Sequence, residues 1–380
     1  MTSALGSIYF WQRIISPHMA GLAAALAECG HQVTYVAERE MSRERAAQGW
    51  EAPNLGSARC QIAGDIGAVD SVVREAPIDS VHICQGMRAN GLVRHAQQQL
   101  RYRHLSYWIT METIDDEGLA GLAKRSVYRY QWLRHRKHLD GILAIGQQTP
   151  GWLAQRGFVP DKIYPFAYFL PTKVASSREE TSQGRPFRFV YAGQMISRKR
   201  VDLLLAAFSG LAGLNAKLVM IGDGPLHASL QNQAQQLGFK SVHWLGQLPM
   251  PEVHAVLAEA DCLILPSRHD GWGAVVSESL MAGTPAICSD ACGSATAVQA
   301  SGMGGVFASG DKDALARLIR QCFERGKVSR EERIRISTWA NALGADAGAQ
   351  YLAEILNHAA NGGEKPVPPW IRPLPSASTE

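Results

Sequence analysis

Apolar residues fall along this chain in two alternating patterns. Short, nearly continuous apolar runs predict buried strands at Ser7–Phe10, Gln32–Ala37, Ser80–Cys84, Leu105–Ile109 and Gly141–Ile145. Between them lie stretches with apolar residues at helical spacing, as at His18–Glu28 and Ala120–His138. Strand–helix–strand units in series build a parallel sheet with helices on both faces. The alternation stops at residues 170–186, LPTKVASSREETSQGRP, which are polar and aperiodic and read as a linker. It restarts with strands at Phe187–Ala192, Ala216–Ile221, Val242–Leu245, Asp261–Leu265 and Pro285–Cys288. Helical patterns intervene at Val201–Leu211, Leu226–Leu237 and Glu252–Ala258. A helical tail is expected from about Glu331 to Ala359, and residues 361–380, rich in Pro, Gly and Ser, as a disordered end. The fold class is therefore α/β, two doubly wound domains joined by one linker. Ligands are expected outside the carboxyl ends of the strands and in the cleft between the halves.

Length agrees with that division, since 380 residues make roughly two domains at about 150 residues each. A chain of this size buries about three-quarters of its unfolded surface and needs no staple. Charged residues are 19% and the net charge is +4, which excludes disorder as the main state and nucleic-acid binding driven by bulk positive charge. The seven cysteines are scattered, with no C-x-x-C, which argues against a disulfide framework and a zinc site and for free thiols in a reducing compartment. No stretch of 18 apolar residues exists, and Arg13 interrupts the first apolar run, so a cytoplasmic protein is expected.

The dinucleotide fingerprint G-x-G-x-x-G follows the first strand of neither half, and no Walker A loop is present; both classes lose their support. Three other loops stand out in the second half. In YAGQMISRKRVDLLLAAF, residues 191–208, Gly193 permits a tight turn and Arg198, Lys199 and Arg200 precede a helix. Cations at a helix start oppose the macrodipole, so either an anion joins them or the turn is simply solvated. In IGDGP, residues 221–225, Gly222 and Gly224 let the backbone approach a ligand, or merely make a strand–helix turn. In PSRHDGWGAVVSESLMAGTPAI, residues 266–287, Asp270 and Glu278 flank a glycine-rich helix start at Gly271, Trp272 and Gly273. Free N–H groups there suit a phosphate and the carboxylates suit sugar hydroxyls; the plainer reading is a capped helix with Glu278 exposed. Asp311-Lys312-Asp313 has D-x-D spacing but precedes the helical run Ala314–Phe323 and reads as its cap.

In this order and spacing the three loops resemble the retaining family 4 glycosyltransferases of GT-B fold, most strongly over residues 187–320 and clearly across roughly 5–358. FKSVHWLGQLP and EADCLILPSRHDGWGAVVSESLMAGTPAICSD follow IGDGPL as that family's motifs do, and HMAGLAAALAECGHQVTYVAE resembles its first helix and second strand. The resemblance implies two Rossmann-like domains: 1–170 for the acceptor, 171–186 as linker and 187–335 for the nucleotide sugar. It also implies that a helix at 336–360 returns to the first domain. By resemblance Lys199 binds the donor diphosphate and Glu278 the ribose. Asp270 and the Gly271–Gly273 backbone contact the transferred sugar and distal phosphate. Gly193, Gln194, Gly222 and Asp223 line the donor, and Gly246 with Gln247 holds the base. Neither metal nor cofactor is implied. The sequence departs where the family has Arg at Gln194, leaving Arg198 to supply that charge. Asp270 stands for a glutamate, shorter by about 1.5 Å. The paired glycines expected near Arg13 and Ile14 are absent, and so is a first-domain histidine, for which Glu112 in TMETID is the nearest polar candidate.

The implied reaction moves a hexose from a nucleotide diphosphate sugar to a glycan or lipid-linked oligosaccharide of a bacterial surface polysaccharide. The leaving diphosphate takes the acceptor proton while Lys199 and Arg198 stabilise its charge and Glu112 orients sugar or acceptor. His18 and His82 are acceptor-side candidates, each with a structural reading beside it. Between Arg88 and Lys137 ten basic residues face four acidic ones, with Tyr102, Tyr107, Trp108, Tyr128, Tyr130 and Trp132 interleaved. That stretch fits peripheral contact with an anionic membrane or ordinary solvated helices. Two rivals stand: a nucleotide-sugar epimerase of the same build and a degenerate binding subunit.

Overall fold

The structure, a computed structural model, describes residues 6–42, 52–88, 90–116, 118–171, 184–239 and 241–372. These form two units. One comprises the described residues up to 171 together with Leu343–Pro369; the other comprises 184–342 and the residues from Trp370.

The first unit's sheet contains β1 (Ile8–Ile14), β2 (Val33–Arg39), β3 (Arg59–Ile62), β4 (Val81–Gln85), β5 (Tyr107–Glu112), β6 (Leu139–Ile145) and β7 (Ile163–Phe166). They run parallel in the order β3-β2-β1-β4-β5-β6-β7. The second unit's sheet contains β8 (Phe187–Ala192), β9 (Ala216–Ile221), β10 (Val242–Gly246), β11 (Cys262–Leu265), β12 (Ala286–Ser289) and β13 (Gly304–Phe307). These are parallel in the order β10-β9-β8-β11-β12-β13. In each sheet the first strand has neighbours on both sides, so successive crossovers leave in opposite directions beside it. That is the switch point at which doubly wound sheets hold ligands.

The central strands are buried on both faces, as parallel sheets require, and this is why they read as unbroken apolar runs. Three strands were invisible in the apolar pattern. Arg59–Ile62 is a polar edge strand with an exposed surface. Ile163–Phe166 is an edge strand carrying Pro165, which such an edge tolerates. Gly304–Phe307 begins with two glycines, weak strand formers, and lies at the opposite edge of its sheet.

The expected tail helix is two helices, Arg330–Ala340 and Ala345–Asn361, separated by a 3-10 turn at Asn341–Leu343. Gly344 follows that turn and precedes the second helix. The chain joins the first unit at Leu343 rather than at 336. There Ala345–Asn361 packs on the helix Pro17–Glu28, and the Tyr351 hydroxyl donates to the Pro165 carbonyl at 3.0 Å. Disorder from 361 onward is corrected over the described part. Pro369–Ile371 is a 3-10 turn whose Trp370 is buried edge-on against Trp272, ring centroids 5.7 Å apart. One large aromatic repays the ordering of a Pro-rich segment that composition alone marks as loose. Residues 373–380 and most of the linker, 172–183, lie outside the described residues.

Where β8 begins, a buried carboxylate ties three segments together. Asp261 is 2% exposed and accepts from Arg185 at 2.6 and 2.7 Å, from the Arg188 N–H at 2.8 Å and from Arg333 at 3.4 Å.

Candidate functional site

The three second-unit loops leave the carboxyl ends of adjacent strands and are laced together by backbone. Gly193 N–H donates to the Ile221 carbonyl at 3.0 Å, Met195 N–H to Asp223 at 2.8 Å and Gly222 N–H to Gly246 at 2.7 Å. Gly222 has φ +117°, and a Cβ there would lie 2.1 Å from the Gly193 carbonyl oxygen. Only glycine permits that approach. The first and third loops are joined as well, because Arg268 N–H donates to the Arg198 carbonyl at 2.8 Å.

The expected cations occupy a 3-10 turn, Ser197–Lys199, ahead of the helix Val201–Phe208. The Lys199 ammonium forms an ion pair and hydrogen bond with the Asp270 carboxylate, both side chains being largely buried. Arg198 donates to the His269 carbonyl at 2.9 Å and stands 4.0 Å from Asp270. One guanidinium N–H therefore fixes the loop, and the fork has five donors in all. Arg200 turns aside to Asp202 at 3.1 Å, from a left-handed backbone with φ +51°. A non-glycine residue in that region is a strained turn beside the charge pair. Tyr191 lies under it: its hydroxyl donates to the Gln194 carbonyl at 2.8 Å, and burial, then the Asp270 charge, pushes its pKa up.

Gly273 opens the helix Ala274–Met281 with φ +86° and offers no side-chain cap. A Cβ there would stand 2.8 Å from Leu265 and 3.3 Å from the Ser294 hydroxyl. The first-turn N–H groups of an uncapped helix are ready donors for an anion. The site reading of Trp272 is corrected for its side chain. The indole is 1% exposed, donates to Ser277 at 2.9 Å and packs on Trp370, so only its backbone borders the loop. Glu278 is only 10% exposed, one helical turn inside, which contradicts the exposed-face reading. Its carboxylate lies 4.0 Å from His254 on the helix Met250–Glu259. Asp223 is exposed and accepts from His227 and from the Gly224 N–H, both at 2.7 Å, which holds its carboxyl below the usual range. Gln247 is exposed just beyond β10.

Three neighbours had no sequence signal. Ser267 donates to Asp270 at 3.4 Å. The Ser294 hydroxyl is buried beside Gly273 with no hydrogen-bond partner among the described residues. His254 comes to Glu278 from another helix. Serines and histidines are too common to read singly; only the fold brings these to the loops. Asp311 caps Lys312–Arg325 by accepting from Ala314 N–H at 2.8 Å, as its D-x-D reading as a cap expects.

In the first unit, His82 is corrected. It is fully buried within β4, its Nδ1 accepts from Trp11 at 3.1 Å, and its Nε2 meets the Ser80 hydroxyl at 2.9 Å. Both ring nitrogens serve the core, and burial, then Arg103, pulls its pKa down to about 3. His135, bonded to the Tyr107 hydroxyl at 2.5 Å, is lowered to about 4 by burial, then Arg101. Both folded values lie below the ordinary 6.5, so the unfolded chain takes up protons first. Stability is complete above pH 6.5 and falls as pH drops toward 4, by on the order of 1–2 kcal/mol per histidine at pH 5. Thermal melts between pH 7 and 5 should show a declining Tm, with a shallower decline in His82→Gln. An equal slope in that variant would contradict this origin.

His18 opens the helix Pro17–Glu28 and stacks on Tyr168, centroids 4.4 Å apart. Glu112 ends β5 at the carboxyl edge of the sheet. The loop behind it is clamped: Arg156 pairs with Asp116, Trp152 donates to Asp116 at 3.1 Å, and Arg156 stacks on Trp152 at 3.8 Å.

A doubly wound sheet with glycine-built loops and a lysine–carboxylate pair at its switch point is an α/β domain of the GT-B build. Residues 173–338 match the model of the glycosyl transferases group 1 family, and that stretch is a domain of this family. Among curated relatives, a GDP-mannose-dependent alpha-(1-6)-phosphatidylinositol dimannoside mannosyltransferase of Mycobacterium tuberculosis is 28% identical over 176 residues, 45% of each chain. The D-rhamnosyltransferase WbpZ of Pseudomonas aeruginosa is 35% identical over 107 residues, 28% of this chain and 27% of its own. The similarity thus spans less than half the length of these relatives. Among solved structures, Anabaena HepE in complex with UDP superposes with TM-score 0.71 at 15% identity, over 92% of this chain and 99% of that one. At that identity the likeness shows the fold.

Proposed function

We propose that this chain is a retaining hexosyltransferase. It moves a sugar from a nucleotide diphosphate sugar to a hydroxyl of a glycan or lipid-linked oligosaccharide, in the cytoplasm, for a bacterial surface polysaccharide. The observation that carries the reading is the Lys199–Asp270 pair set beside Gly193 and the uncapped helix start at Gly273. UDP in the HepE complex and the GDP-mannose dependence in the mycobacterial enzyme's name support a nucleotide-sugar donor.

In this mechanism the donor diphosphate lies between Lys199 and the first turn of Ala274–Met281. As the bond from the anomeric carbon to the leaving phosphate oxygen lengthens, charge grows on the diphosphate. Lys199, Arg198 and the helix N–H groups stabilise that charge. The acceptor hydroxyl attacks the anomeric carbon from the same face, and its proton passes to the leaving phosphate oxygen. Asp270, Ser294 and the Gly271–Gly273 backbone face the sugar and distal phosphate, Glu278 accepts from the ribose, and Gly246–Gln247 borders the base. Glu112 and His18 are assigned to the acceptor side. No metal enters the proposal, because two cations and a helix terminus neutralise the leaving group. Transfer is expected to be unchanged by EDTA, and loss of activity restored by a divalent cation would contradict that assignment.

Glu278→Ala tests the ribose contact. A charged hydrogen bond contributes about 1.5–3 kcal/mol, so donor KM should rise roughly ten- to a hundredfold with the fold intact. Donor KM unchanged in this variant removes Glu278 from the site. Tight donor binding without turnover on any acceptor would favour the binding-subunit reading.

A further inference from the structure

We propose that the solvent-facing side of the helix Gly118–His135 docks on an anionic lipid bilayer. This helix places its apolar residues on the wrong side for a purely soluble surface. Leu119, Leu122, Tyr130 and Leu133 are 87, 55, 59 and 53% exposed. At 3.6 residues per turn they share one stripe roughly 80° wide, with Ser126 between them. Tyr128, Trp132 and His135 are buried on the opposite face and anchor the helix to its unit. Single exposed apolar residues are ordinary, but four in one stripe mark a surface with a partner.

Charge identifies the partner. The helix contains no Asp or Glu. Arg129 and Arg134 are exposed along the two borders of the stripe, and Arg136 and Lys137 follow exposed at its end. Lys124 and Arg125 donate to the Asp115 and Asp116 carbonyls and hold the start of the helix in place. An apolar stripe bordered by cations matches a bilayer surface in both respects. Leucines enter the boundary between headgroups and acyl chains, and arginines meet anionic headgroups. A second copy fits poorly, because a symmetric pairing would set arginine against arginine. The surface stands on this helix alone, and vesicle binding needs no donor, so its failure would leave the transferase reading untouched.

The test is co-sedimentation of the full chain with vesicles of phosphatidylglycerol and phosphatidylcholine, against phosphatidylcholine alone. Binding to the anionic vesicles is expected, at least tenfold weaker without phosphatidylglycerol. Leu119→Ser/Leu122→Ser/Leu133→Ser should weaken it at least tenfold. Arg129→Gln/Arg134→Gln should weaken it roughly tenfold or more, since each surface cation is worth about fivefold. These exposed substitutions leave the buried face intact, which circular dichroism checks. In Tyr130→Trp, indole emission should shift to the blue on anionic vesicles. No binding of the unmodified chain to anionic vesicles, or full binding by the triple serine variant, overturns the proposal. So does a dimer in light scattering that the serine variant dissolves, which would make the stripe a self-association surface.

Discussion

Lys199→Ala is expected to lower sugar transfer by about a hundred- to a thousandfold, the usual effect of removing one group aimed at charge that develops in a transition state. The loss should appear in kcat more than in KM, because the diphosphate gains charge as the glycosidic bond breaks. Stability should fall modestly. Asp270 retains Arg198 at 4.0 Å, so breaking this largely buried pair leaves the carboxylate a cationic neighbour, at a cost of about 1–3 kcal/mol. Lys199→Arg keeps the charge but changes its shape and should recover part of the rate. Asp270 holds Lys199, so under the proposed function an incoming diphosphate would meet an oriented ammonium. Asp270→Asn frees that ammonium and should cost rate without lowering Tm. A Lys199→Ala enzyme with near-normal kcat would remove the pair from the chemistry.

Asp261→Ala is expected to be the most destabilising substitution in the second unit, at about 3–5 kcal/mol. Its carboxylate is buried, held bidentately by Arg185, and reached by Arg333 from the helix Arg330–Ala340. Alanine would leave both guanidiniums and the Arg188 N–H facing an apolar void. For a unit of this size each kcal/mol shifts Tm by about 2–4 °C, so a fall of roughly 10 °C is expected. Asp261→Asn keeps the shape and the acceptor oxygen and should cost less. Burial sets the size of the effect, since exposed pairs such as Arg200–Asp202 contribute within about 1 kcal/mol. Calorimetry resolving the second unit's transition checks it; a change under about 1 kcal/mol would contradict the account.

The fold was legible wherever burial wrote itself into the pattern. Phe187–Ala192 and Ala216–Ile221 coincide with their apolar runs because central parallel strands are covered on both faces. Edge strands carry no such signature, which is why Arg59–Ile62 and the Pro165 strand were silent. In the candidate site, Gly193, Lys199, Gly222, Asp270 and Gly273 were legible because backbone approach and charge limit which residues can stand there. Of the two readings the sequence left open for His82 the core one holds, and Trp272 contributes backbone alone, because an aromatic or imidazole near a loop looks the same whether it faces ligand or core. Only packing against Trp370 and bonding to Trp11 separate the two. Ser294 and His254 were silent because the contacts that matter to them come from other elements.

If the loops of the second unit hold the diphosphate and ribose of a nucleotide sugar, titration calorimetry of the full chain with a panel of UDP- and GDP-sugars will detect it. At least one member is expected to bind in the micromolar range, and Lys199→Ala and Glu278→Ala should each weaken it at least tenfold in a chain that circular dichroism shows to be folded. Binding of no member, or equal binding by both variants, would contradict it.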